Sequence, residues 1–188
     1  MEKIKEVLIE YLTETVKEVK KRAALGQGRE VLGEVINRPE DLEIGIDRVG
    51  EDILGSLLKK NKLKATIYSE PEARDIENGN DFYGSIDPFD GSALYMKGFE
   101  HNWYTTLSFY DKEKKPIATG IADILNEKFY IMENSRAYLL DIKTGEEKNI
   151  SPSKRENLTE PIVLASYMMK SIYSAKFLEF FGDIVKNM

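Results

Sequence analysis

Apolar residues recur at Ile4, Val7, Leu8, Tyr11, Leu12, Val16, Val19 and Ala23, with Lys and Glu filling the positions between them. This is the three-to-four spacing of a long helix that buries one face. The basic run Lys20-Lys21-Arg22 suits the negative end of such a helix, and Gly26 and Gly28 end the pattern. Leu42, Ile44 and Ile46 then alternate with Glu43, Gly45 and Asp47 as a short strand would. Asp47 stands at an N-cap position before Val49, Ile53, Leu54, Leu57 and Leu58, which predict a second helix to about Asn61.

From Lys64 onward the period falls to two, and residues 65–68, 83–86, 103–110, 117–124, 129–132 and 137–140 are predicted strands. The polar connections at 111–116, 125–128 and 143–146 have hairpin length, which favours antiparallel neighbours. After Ser151-Pro152-Ser153 come a predicted strand at 162–165 and an apolar helical stretch from 172 to about 185. The expected fold class is α+β, with two long helices packed on an antiparallel sheet over residues 1–155. Residues 156–188 are expected to begin a second, incomplete α/β domain.

The 188 residues carry 27 basic and 33 acidic side chains, a formal charge of −6, so there is no basic excess to recruit nucleic acid. Cysteine is absent, which excludes disulfides, thiolate metal sites and cysteine nucleophiles. The charged start Met-Glu-Lys-Ile-Lys-Glu lacks the apolar run of a signal peptide, and no stretch approaches the roughly 20 apolar residues of a membrane span. A cytoplasmic protein without membrane partners is expected.

Candidate chemistry concentrates in Asp87-Pro88-Phe89-Asp90-Gly91-Ser92, where a strand runs into two carboxylates and then a Gly-Ser able to open a helical turn. Pro88 fixes its own φ and holds Asp87 extended, so that Asp87 and Asp90 can converge with the Phe89 carbonyl between them. Such oxygen ligands suit Mg²⁺ or Mn²⁺. Gly91 offers no Cβ to obstruct a ligand, and the amides from Gly91 and Ser92 onward could bind phosphate. Upstream, Glu70 or Glu72 could complete the cluster. Asp47 is explained equally by a helix cap and by a site role.

These residues resemble the inositol monophosphatase family, the Mg²⁺-dependent, lithium-sensitive sugar phosphatases that include archaeal-type fructose-1,6-bisphosphatases. The family's metal motif is Asp-Pro-hydrophobe-Asp-Gly-Thr/Ser. The resemblance implies a sugar-phosphatase-like layered sandwich and hydrolysis of a sugar or inositol phosphate monoester. It implies Glu70 rather than Glu72 as a ligand, beside Asp87, Asp90 and the Phe89 carbonyl. It also implies that Asp47 serves a further metal position and that Ser92 orients the attacking water together with Glu70. Family members run on into a second domain with a Trp-Asp ligand motif, whereas Trp103 here is followed by Tyr104. The resemblance therefore covers about the first two thirds of such an enzyme. At most weak phosphatase activity is expected of these residues alone, together with association as a homodimer or homo-oligomer through the uncovered face.

Other chemistries fit less well. An EF-hand loop with Asp90-Gly91 at its fifth and sixth positions would put Ile86 first and Pro88 third, which cannot ligate through side chains. An aspartyl nucleophile would want its two Asp separated by one residue, whereas two lie between Asp87 and Asp90. His101 has no Ser or Cys partner nearby in the sequence, and Trp103, Tyr104 and Phe109 are expected in core and sheet. The remaining alternative is an inert domain that acts as a metal-binding or interaction module.

Overall fold

A computed structural model of the protein describes residues 2–35, 38–69, 75–77 and 79–152, the side chains of 35, 38–41 and 75–77 excepted. The first apolar stripe forms α1, Glu2–Ala24, which buries Ile4, Val7, Leu8, Tyr11, Leu12, Val16 and Val19. A hairpin of β1 (Val31–Val35) and β2 (Arg38–Ile44) follows. The second stripe forms α2, Asp47–Asn61. Then come β3 (Ala65–Ser69), β4 (Asp75–Glu77), β5 (Phe82–Asp90) and a short α3 (Ser92–Met96). The rest is a meander of β6 (Tyr104–Tyr110), β7 (Pro116–Asp123), β8 (Lys128–Glu133), β9 (Arg136–Asp141) and β10 (Glu147–Asn149).

Eight strands make one sheet in the order β10-β9-β8-β7-β6-β5-β3-β4. The α+β class and the layering of helices on a sheet are as expected, but the sheet is mixed rather than antiparallel. Strands β3 and β5 run parallel, with Ala65 opposite Phe82 and Ser69 opposite Ile86. The antiparallel β4 lies between them in sequence and on the outer edge in space, so the chain returns to start β5 in the same direction as β3. Hairpin lengths elsewhere gave the meander directly, and β6 to β9 pair antiparallel.

Two glycines set how closely the helices lie on this sheet. A Cβ on Gly120 of β7 would come 2.7 Å from Leu12 Cδ1 of α1. One on Gly50 of α2 would come 2.8 Å from both Pro88 Cβ and the Tyr11 hydroxyl. Real side chains do not approach so closely, so glycine at position 50 lets the start of α2 rest directly on the Asp87-Pro88 segment. Residues 105, 107 and 109 of β6 are buried on this helix-covered face, with Ile86 opposite Leu107.

The chain divides into two compact units, Met1–Ser151 and Pro152–Met188. The predicted strand at 162–165, the helical stretch from 172 and the expected second domain lie outside the described residues. Among the described residues no helix is long and apolar enough to cross a membrane.

Candidate metal and phosphate site

The two carboxylates of the motif lie three residues apart, and in an unbroken strand they would therefore point to opposite faces. The pairing of β5 with β6 shows how this is resolved. Asp87 lies opposite Thr106 and Asp90 opposite Tyr104, so three steps along β5 match two along β6. This is a β-bulge, and it changes the phase of the strand. Pro88 and Phe89 are buried in succession, while Asp87 is partly exposed and Asp90 exposed. Asp87 and Asp90 consequently share one face of the sheet. Pro88, which has no N–H to give to a ladder, suits the bulge position.

Asp90 leads into Gly91 at φ +124°, a backbone conformation open to glycine and costly for other residues. A Cβ there would also sit 2.7 Å from the Asn102 carbonyl. The turn starts α3, whose position is fixed by an aromatic cluster. The rings of Phe89, Tyr95 and Trp103 lie 5.3 to 5.8 Å apart, centre to centre, and all three residues are buried. Ser92, the first residue of α3, is thereby aimed back at α2. Its hydroxyl lies 2.6 Å from Asp47 Oδ1 and 3.0 Å from the Phe89 carbonyl, donating to either.

Asp47 does not cap α2, which removes one of the two roles that the sequence left open. It is the first helical residue, and Ile46 before it already has helical φ and ψ with no side-chain cap. The Asp47 carboxylate is buried and turns outward: Oδ2 accepts the Ile44 N–H at 2.8 Å while Oδ1 accepts Ser92. A buried carboxylate held by one amide and one hydroxyl is a proton acceptor in a fixed orientation.

The expected ligand Glu70, and Glu72 with it, lie outside the described residues. Among the described residues no three His, Asp or Glu side chains gather closely enough to hold a metal ion. The expected set of Glu70, Asp87, Asp90 and the Phe89 carbonyl is thus seen only in its β5 members, and the Phe89 carbonyl faces the Ser92 hydroxyl. His101 is an exposed loop residue, and Trp103 and Phe109 are core.

Sequence reasoning missed Glu51. It is buried one turn after Asp47 and accepts a hydrogen bond from the Ser69 hydroxyl at the end of β3. The signal was present: Asp47, Glu51, Leu54 and Leu58 follow the helical spacing, so two acids occupy an otherwise apolar stripe. Tyr11 was read as core alone, yet its hydroxyl bonds Thr105 Oγ1 at 2.6 Å, and Thr105 donates to the Asp87 carbonyl at 3.1 Å. A buried chain of hydrogen bonds therefore ties α1 to the backbone of the first motif carboxylate.

Burial pushes the Tyr11 phenol well above its ordinary pKa of 10.0, and the nearby negative charges of Asp87 and Glu51 push it further, against its bond to Thr105. The folded state thus favours the neutral phenol. This stability is fully present below pH about 10, the unfolded value, and is lost as pH rises above it. Tyr11→Phe is expected to flatten the alkaline fall in a urea-unfolding series from pH 8 to 11, at a cost of about 1 kcal/mol near neutrality. An alkaline limb identical to that of the unchanged protein would show that Tyr11 does not set it.

No family model matches the chain. Over 123 residues, 64% of this chain, it is 30% identical to a curated Thermococcus kodakarensis protein named fructose-1,6-bisphosphatase/inositol-1-monophosphatase. Among solved structures it resembles Thermotoga maritima IMPase TM1415, with a TM-score of 0.71 and 19% identity over 97% of this chain and 65% of that one. It also resembles the MJ0109 gene product, an inositol monophosphatase-fructose 1,6-bisphosphatase, with a TM-score of 0.55 and 26% identity over 68% of this chain and 50% of that one. The chain spans 46% of the length of the curated relative, about half. The resemblance carried by residues 87–92 is thus matched in sequence and in fold, and over the part that it spans the chain has the architecture of the inositol monophosphatase and fructose-1,6-bisphosphatase proteins.

Proposed function

We propose that the chain forms the metal-binding part of a phosphoric monoester hydrolase acting on a sugar or inositol phosphate, of the inositol-1-phosphate or fructose-1,6-bisphosphate type. In this reading residues 1–155 are the metal-binding domain and residues from 156 begin the next. The observation that carries the proposal is the Ser92 hydroxyl held on the buried Asp47 carboxylate, directly beside the bulge that brings Asp87 and Asp90 to one face. The names of the similar proteins support the substrate class.

The donors on β5 are all oxygens, two carboxylates and a peptide carbonyl, and this chemistry fits a hard cation such as Mg²⁺ or Mn²⁺ that keeps several waters. Asp87, Asp90, the Phe89 carbonyl and Glu70 would hold it. When bound, such an ion polarises a phosphoryl oxygen and lowers the pKa of water. The remaining work belongs to the chain. Because Ser92 donates its one proton to Asp47, its oxygen lone pairs are left to accept a hydrogen bond from the attacking water. A proton taken from that water can pass through the Ser92 oxygen to Asp47 Oδ1, which makes Asp47 the general base. The amides of Gly91 and Ser92 would hold the phosphate.

The test is phosphate release from inositol-1-phosphate and fructose-1,6-bisphosphate with Mg²⁺ or with EDTA, alongside Mg²⁺ titration and light scattering for homo-oligomers. The expected result is EDTA-sensitive release and Mg²⁺ binding in the millimolar range, on the order of 4 kcal/mol. A chain that binds no Mg²⁺ and releases no more phosphate than its Asp90→Asn variant overturns the reading.

A further inference from the structure

We propose that Glu51 is a positioning residue of this site, holding the end of β3 in place through the Ser69 hydroxyl. The inference rests on the metal reading above and extends it to a residue that touches neither metal nor substrate. Glu51 is only 8% exposed and Ser69 5%, so their hydrogen bond is shielded from water. A buried carboxylate is costly unless it is bonded, and leaving it without its donor costs the full desolvation of a charge. The bond therefore pulls Ser69 strongly to one place.

That place matters because of the parallel pairing. Ser69 is the last residue of β3 and lies opposite Ile86, the residue before Asp87. The next residue in the chain is Glu70, the expected third carboxylate. Glu51 is also tied to the other motif residues by its own helix. Gly50, its neighbour, brings α2 against Pro88, and Asp47, one turn earlier, holds Ser92. One rigid turn of α2 thus grips three separate pieces of the site: the end of β3 through Glu51, the bulge through Gly50, and the start of α3 through Asp47. Glu51 sets where the chain leaves β3 relative to Asp87, as outer hydrogen bonds orient ligands in metal sites generally.

The hydrogen-bonding role predicts a pattern that neither a ligand nor a purely structural residue would give. The probe is Mn²⁺ alone, its free concentration followed by electron paramagnetic resonance on the full chain, with thermal melting recorded without metal. Ser69→Ala and Glu51→Ala are each expected to weaken Mn²⁺ binding about tenfold. The double variant should be no weaker than the worse single one, since both remove the same bond. Glu51→Gln keeps an acceptor oxygen and should stay within about threefold of the unchanged chain. If Glu51→Gln is as damaging as Glu51→Ala, charge rather than the bond is at work and the inference is overturned. It is also overturned if the Ala variants melt earlier yet bind Mn²⁺ unchanged. An unsubstituted chain that binds no Mn²⁺ overturns the metal reading itself, and this inference with it, an outcome told apart by its appearance before any substitution is made.

Discussion

Asp90→Asn is expected to abolish metal-dependent phosphate release while leaving the fold intact. Asp90 is exposed at the end of β5, and Asn matches its shape, so the exchange adds no volume to the core. What it removes is charge on the one sheet face where the bulge has brought two carboxylates together. A cation's stabilisation of the transition state is worth several kcal/mol, so losing one of its carboxylates should cut turnover by about 10²- to 10³-fold. Mg²⁺ affinity should fall in the same variant, because the ground-state ion loses the same partner. Asp87→Asn should behave alike, with a larger effect on stability, since Asp87 is less exposed. Activity within a few-fold of the unchanged chain at saturating Mg²⁺ would remove Asp90 from the site.

The elements on which this rests were unevenly legible in the sequence. α1, α2 and the meander follow from local periodicity, because each buries one face and each hairpin is short enough to dictate its neighbour. The parallel pairing of β3 with β5 does not, since it depends on where β4 sits, and three residues carry too little pattern to announce an edge strand. β1 was missed for a related reason: Val31-Leu32-Gly33-Glu34-Val35 has no clean alternation, and its register with β2 is irregular. The motif was legible but its geometry was not. Asp87 and Asp90 at an odd spacing should diverge, and only the bulge, a property of the pair β5 and β6, brings them to one face. Asp47 shows the opposite case. A local rule offered a cap beside a site role, and the side chain accepts Ser92, 45 residues away in sequence, and the Ile44 N–H rather than capping its helix.

That contact yields the other large effect. Ser92→Ala should lower kcat by about 10²-fold or more, the usual worth of a positioned proton acceptor, with little change in Mg²⁺ affinity. The separation follows from geometry: the Ser92 hydroxyl gives its proton to Asp47 or to the Phe89 carbonyl, and its role toward the water needs only its lone pairs. Ser92→Thr keeps the hydroxyl and should be tolerated. Asp47→Asn is the sharper variant. The Ile44 N–H still needs an acceptor, so the amide oxygen of Asn is drawn to it and the NH₂ is left facing Ser92. The hydroxyl then accepts a hydrogen bond where it had donated one, and the path from water to position 47 closes. Asp47→Asn should therefore match or exceed the loss in Ser92→Ala, and the double variant should be no worse than Asp47→Asn, since two residues acting as one relay are lost only once. Steady-state kinetics with independent Mg²⁺ titrations decide the matter. Additive losses, or a parallel fall in metal affinity for Ser92→Ala, would mean that Ser92 is a ligand or a mere turn residue and that Asp47 takes no proton from it.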